Sequence, residues 1–288
     1  ESIEDQTRWL RDNAESENIR FVSHIGDLAQ GAFGGVEQLP GAGWSDQWQR
    51  VDQYMGQLDQ ANTVDGRALP YSASLGNHDL LPRGDKNNSA DPIEGGAYRE
   101  YFGASRYQDY DWYGGSDSTE WNHYQTITAG GHEYLHINLE HEPNRPENDA
   151  EVDRTSGVND AINWAQSVID NHQGMPTIIS THELLTDLET SGDVPTGYSG
   201  DGADDTFGEG ERTGPGREIW QRLVKPNQQV FMTLNGHEHE GPYREDGEFH
   251  RMSRNDAGLP VFEVLVNFQD YANPLTGNDP YLRLMEFD

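Results

Sequence analysis

Short apolar runs rich in β-branched and aromatic residues recur along this chain, separated by segments whose apolar residues return every three or four positions. The runs RFVSHIGD (20–27), PYSASLGNHD (70–79), HYQTITA (123–129), EYLHINLE (133–140), PTIISTHE (176–183), VFMTLNGH (230–237), VFEVLVNF (261–268) and YLRLMEF (281–287) have the length and composition of strands. Helical spacing is found at 4–15, at 45–60 around Trp48, Val51 and Met55, at 159–171 around Trp164 and Val168, and at 215–225, where Pro215 stands near the start. Strand and helix alternate early and strands follow one another late, an order that predicts a layered α/β fold with sheets packed face to face and helices outside. Gly/Asp-rich stretches at 82–96, 103–120 and 187–214 read as loops.

At 288 residues and 33% hydrophobic content the chain has enough apolar material for one sizeable core, and without a linker or internal repeat a single domain over 1–288 is expected. No apolar run approaches the roughly 18 residues of a membrane span. The opening ESIEDQTRWLRDNAE lacks the basic end and apolar stretch of a signal peptide and looks like the middle of a helix.

Charge changes the picture most. With 51 Asp+Glu against 19 Lys+Arg the formal net charge is −32. Such self-repulsion is relieved when salt shortens the Debye length to about 3 Å at 1 M, so the composition reads as adaptation to high salt. The acids are spread through segments rich in Trp, Tyr and Phe, unlike a disordered acidic tail. A high-affinity nucleic-acid partner is disfavoured because no basic patch exists to displace counterions. Cysteine is absent, so thiolate chemistry is excluded and any metal site must use His, Asp, Asn or Glu.

Four runs end in groups suited to metals: Asp27 after FVSHIG, Asn77 and His78 after SASLG, His182 after TIIST, and His237 and His239 after MTLNG. Side chains at i and i+2 of extended backbone share a face, so both imidazoles of His237 and His239 can address one point. Parallel strands would bring these ends to one rim, where α/β proteins place their sites. One carboxylate, one amide oxygen and three imidazoles make a plausible dinuclear set. Other chemistries lack their motifs: GYSGDG fails the nucleophile elbow by one position and no Walker glycine loop is present. Asp201, Asp204, Asp205 and Glu209 in the 187–214 stretch offer calcium-type oxygens without the ordered spacing of a calcium loop. Glu140 and His141, after a strand, stand out as rim residues; His24, His123, His132, His136, His172 and His250 read as structural or solvated.

GDLAQ, GNHD, the TH of ISTHE and GHEH, in that order at strand ends, resemble the calcineurin-like metallophosphoesterases over essentially the whole chain. The resemblance implies a four-layer α-β-β-α sandwich of two mixed sheets flanked by helices. It implies two divalent ions (manganese, zinc, iron or nickel) and hydrolysis of small phosphate mono- or diesters. Asp27 would bridge the ions, Asn77, His182 and His237 would bind one, and His239 would belong to the other. His78 would contact the phosphoryl group or protonate the leaving oxygen, with Asp79 orienting it. WYGG, NLEHEP, RNDAG and YLRLMEF resemble a bacterial and archaeal branch of exported phosphoesterases, which implies export into a high-salt medium. The family's first motif, D-x-H or D-x-Q, is missing: EDQTRW before GDLAQ lies in a helical pattern. Two readings follow, a preceding segment that carries a strand to lie beside residues 20–26, or a protein that works with one well-held metal and a labile second; a degenerate member that binds metal or ligand without turnover is the alternative function.

Overall fold

The computed structural model of the chain describes residues 2–29, 44–79, 96–141, 143, 161–185, 212–238, 248–268 and 281–287. His239 and the calcium candidates Asp201, Asp204, Asp205 and Glu209 lie outside the described residues. In chain order the elements are α1 (Ser2–Asn13), β1 (Val22–His24), α2 (Trp44–Met55), β2 (Tyr71–Ala73), α3 (Gly96–Phe102), α4 (Ala104–Tyr107), β3 (Tyr113–Ser116), β4 (His123–Ala129), β5 (His132–Asn138), α5 (Ala161–Asn171), β6 (Thr177–Ser180), α6 (Gly214–Ile219), β7 (Val230–Asn235), β8 (Glu248–Arg254) and β9 (Pro260–Val266).

The chain is a mixed α/β protein. One sheet of the described residues has seven strands in the order β3-β4-β5-β6-β7-β9-β8, and a second pairs β1 with β2 in parallel. Within the large sheet β5, β6, β7 and β9 are mutually parallel, so their carboxyl ends share one edge. Helices pack on both sheets. Leu10 of α1, Trp48, Val51 and Met55 of α2, and Tyr98 and Phe102 of α3 pack on Tyr71 and Ala73 of β2. Ile162, Ala165, Val168 and Ile169 of α5 and Ile219 of α6 pack on Leu135, Ile137 and Ile179. A fully buried aliphatic side chain of this kind stabilises by about 1.5–3 kcal/mol, which is why the period-3.6 stripe of α5 faces the sheet.

Three segments differ from the sequence expectation. The stretch 103–120, read as a loop, contains α4 and β3. Its glycines have a packing reason: a Cβ at Gly114 would run into the Tyr124 ring of the neighbouring strand, and the pairing shifts register between Tyr113 and Gly115. The 248–254 segment, polar and unremarkable in sequence, is a full antiparallel partner of β9. YLRLMEF is not a strand. Leu282 packs on the first core cluster and Phe287 meets Phe231 edge-on at 6.2 Å, while Leu284, Met285 and Phe287 stay exposed.

The layer between the two sheets is polar where β1 and β2 meet β4, β5 and β6. Ser23 Oγ lies 2.9 Å from Ser180 Oγ, Ser180 hydrogen-bonds His136, and His136 Nδ1 lies 2.8 Å from Gln125 Oε1. Ser74 donates to Asn138 Oδ1 at 2.5 Å. These partners let Ser74, Ser180 and Asn138 sit fully buried at acceptable cost. His123 differs: buried and stacked on Tyr107 at 5.4 Å, it has no hydrogen-bond partner for either ring nitrogen among the described residues. Burial pushes its pKa from 6.5 down to about 3, and burial drives His136 well below its ordinary value. Below 6.5 the unfolded chain takes up protons that these folded rings refuse, so their contribution is complete above that pH and is lost as pH falls toward about 3. His123→Leu is therefore expected to flatten the fall in melting temperature between about pH 7 and about pH 4, relative to the parent chain. Identical acid slopes in the two thermal-melt series would contradict it.

Candidate metal centre

Four of the predicted residues, Asp27, Asn77, His182 and His237, come together at the strand ends. The chain leaves β1 through Gly26 at φ 104° and Asp27 at φ 55°, and leaves β7 through Gly236 to His237 at φ 65°. Asp27 and His237 are thus two of four described non-glycine residues in the left-handed region, which costs on the order of 1–3 kcal/mol each and concentrates at functional sites. Gly26 is bare because the His182 ring occupies the space a side chain would need, with Cγ 2.7 Å from an added Cβ. Gly76 is bare because Asp27 lies against it, its backbone N and Oδ1 overlapping an added Cβ.

The side-chain nitrogen and oxygen atoms of the four residues converge. His182 Nε2 lies 2.9 Å from Asn77 Oδ1, 3.3 Å from Asp27 Oδ1 and 3.0 Å from His237 Nδ1, and His237 Nδ1 lies 3.2 Å from Asn77 Oδ1. Adjacent donors on one ion at about 2.1 Å sit about 3.0–3.4 Å apart, the spacing found here. His182 Nδ1–H donates to the Ile25 carbonyl at 2.7 Å, which fixes the ring orientation and leaves Nε2 facing the cluster. His237 is held from behind by Asn267, whose Nδ2 donates to the His237 carbonyl at 3.1 Å.

The electrostatics favour positive charge at this point. Burial works against the charged form of His182, but the Asp27 carboxylate and the hydrogen bonds to Asp27 and Ile25 outweigh it and raise the imidazole pKa. Burial likewise opposes ionisation of Asp27, and the charge of His182 with the amide of His78 overrides it, holding Asp27 well below the usual carboxylate range. Asp79 is fully enclosed, and burial, then the Asp27 charge, push its pKa up to about 7. Its oxygens accept from the amides of Ala29 at 2.7 Å and Gly76 at 2.8 Å, which braces the loop after β1 against the loop after β2. His78 is half-buried at the edge of the cluster, its amide donating to Asp27 Oδ1 at 3.0 Å.

A second flank was only partly legible in sequence. Glu183, His237 and Glu238 bring ligand atoms within 4.8 Å of one another, a group able to hold a metal ion. His141 Nδ1 lies 3.4 Å from Glu183 Oε2, and its ring is 5.5 Å from His237 and 5.6 Å from His182. His141 was marked by position after a strand, whereas Glu183 and Glu238 carry no spacing signal beyond adjacency to the histidines. The donor set of Asp, Asn and His at one end and Glu and His at the other fits divalent metals.

Gly76→Ala is expected to weaken divalent-ion affinity by about 10–100-fold with a small loss of stability, because the new methyl displaces Asp27. Manganese titration calorimetry checks this, and unchanged affinity would show that the Gly76 contact does not set the position of Asp27.

No family model matches the chain. It is 27% identical over 284 residues to the uncharacterized protein YvnB of Bacillus subtilis (strain 168), with 98% of this chain and 17% of that protein covered. The chain thus spans about 17% of the length of this relative. A crystal structure of TT1561 of Thermus thermophilus superposes with a TM-score of 0.44 at 11% identity, covering 91% of this chain and 82% of that one.

Proposed function

We propose that the chain is a metal-dependent phosphoesterase that hydrolyses small phosphate mono- or diesters. The observation that carries this reading is the meeting of Asn77, His182, His237 and Asp27 donor atoms at 2.9–3.3 Å around His182 Nε2. In this reading the two sheets and their outer helices form a four-layer α-β-β-α sandwich, with the centre where β1, β2, β6 and β7 end. Asn77, His182 and His237 hold one ion of the manganese, zinc, iron or nickel class, and Asp27 reaches toward a second. Bound divalent ions would supply Lewis acidity, polarising the phosphoryl group and making water a stronger nucleophile at neutral pH.

The chain's own residues do the rest. His182 is oriented by the Ile25 carbonyl, and Asp27 by the His78 amide. His78 stands at the rim, where it can give a proton to the departing oxygen. Asp79 acts on His78 through the loop it braces. Among the described residues no helix is long and apolar enough to cross a membrane.

The test is hydrolysis of p-nitrophenyl phosphate and bis(p-nitrophenyl) phosphate in molar salt by chain loaded with manganese or zinc. Turnover that disappears with chelator and returns with metal is expected. Tight metal binding without turnover of either ester would replace this reading by a metal-binding protein of the same fold.

A further inference from the structure

The large sheet ends on β8, and among the described residues no strand flanks its outer edge. β8 pairs with β9 without a register shift, from Glu248↔Val266 to Arg254↔Pro260. Natural sheets blunt an edge of this kind with proline, a bulge or a very short strand, whereas β8 has seven residues, no proline and no bulge. We propose that this edge pairs with the same edge of a second copy of the chain, antiparallel about a two-fold axis at Arg251, so that the two large sheets join into one.

The apolar surface leads to this edge. Ile178, Met232, Phe262 and Met252 stand in one row across β6, β7, β9 and β8. Ile178 and Met232 are buried, whereas Phe262 is 49% and Met252 61% exposed, with Leu259 of the same hairpin at 46%. Apolar exposure thus rises toward the free edge, where a second copy would cover it. The backbone is oriented for pairing as well. Asn255 N donates to Leu259 O at 3.0 Å and closes the β8–β9 hairpin. Because an antiparallel ladder alternates, the backbone groups of Arg254, Met252, His250 and Glu248 then turn away from β9, and Pro260, which has no N–H, stands opposite Arg254. Charge selects the register. A two-fold axis at Arg251 sets Glu248 of each copy opposite Arg254 of the other and His250 opposite Met252, and opposite charges directly across an antiparallel pair stabilise it. Sliding the pairing by two residues in either direction loses both Glu248–Arg254 pairs. Arg254 is exposed, its Nη1 donates to Gly258 O at 2.7 Å, and among the described residues it has no carboxylate partner. Arg251, at the axis, already has Glu263 of its own copy at 3.4 Å, which offsets the like charge it would face.

Sedimentation velocity of the 288-residue chain in about 1 M salt tests the pairing, since a Debye length of about 3 Å screens the repulsion between two copies of net charge −32 but not charges in contact. The parent chain is expected to be dimeric at about 100 μM and to dissociate on dilution. Glu248→Arg and Arg254→Glu each turn both cross-strand pairs into like-charge contacts and are expected to weaken the dimer about tenfold or more, whereas the double variant restores it. One single substitution makes the chain less acidic and the other more acidic, so an effect of overall charge would move them in opposite directions. Met252→Asp, at a 61% exposed position, is expected to weaken the dimer too and serves if either charge variant misfolds, which thermal melts detect. A parent chain that is monomeric at every concentration, folded single variants that keep the parent's dimer, or a folded double variant that stays monomeric would overturn the proposal.

Discussion

His182→Ala is expected to reduce kcat/KM for phosphate esters by about a thousandfold or more, a loss of about 4 kcal/mol of transition-state stabilisation. His182 Nε2 is the atom on which Asn77, Asp27 and His237 converge, and its ring fills the space that Gly26 leaves open. Removing it takes one donor and the hydrogen bond that ties the Ile25 carbonyl, after β1, to the large sheet. Manganese affinity should fall in parallel. The check is steady-state kinetics across a metal titration, since extra metal should rescue a binding defect only in part. Full activity at saturating metal would remove His182 from the centre.

Glu263→Ala is expected to cost about 3–5 kcal/mol of stability, a drop in melting temperature on the order of 10 °C. Arg212 is 1% and Glu263 0% exposed at the side chain, joined by two hydrogen bonds of 2.8 and 2.5 Å. The guanidinium lies over the Trp220 ring at 3.8 Å, and Ser253 donates to Glu263 at 2.5 Å. Most of the cost comes from the buried Arg212 charge left behind, because desolvating two charges nearly cancels their attraction. Pairing Arg212→Met with Glu263→Leu should therefore recover most of the loss. A double variant as unstable as Glu263→Ala would mean that the ion pair itself stabilises the fold.

The positions of the strand ends, and the side chains that meet there, were legible from local pattern. GD, GNHD, TH and GH each follow an apolar run, and parallel strands must end on one edge, so Asp27, Asn77, His182 and His237 could be brought together on paper. Nothing in the local pattern shows that Ser23 and Ser74 meet Ser180 and Asn138 of the large sheet. YLRLMEF has the alternation of a strand without a ladder in the structure, since a strand needs a neighbour's amides as well as its own pattern.

By itself, then, the sequence determined what is set by neighbours along the chain. It set which segments have strand or helix periodicity, which turns need glycine, which side chains emerge where a run ends, and that the protein carries a large negative charge. The tertiary structure alone decided what depends on residues far apart in sequence. It placed Glu183 beside His141 and His237, buried Arg212 against Glu263, and made Gly26 and Gly76 the seats of His182 and Asp27. The physical reason is that periodicity fixes which way a side chain points from its own strand, while the partner it meets is fixed by sheet order and packing, which no local pattern encodes.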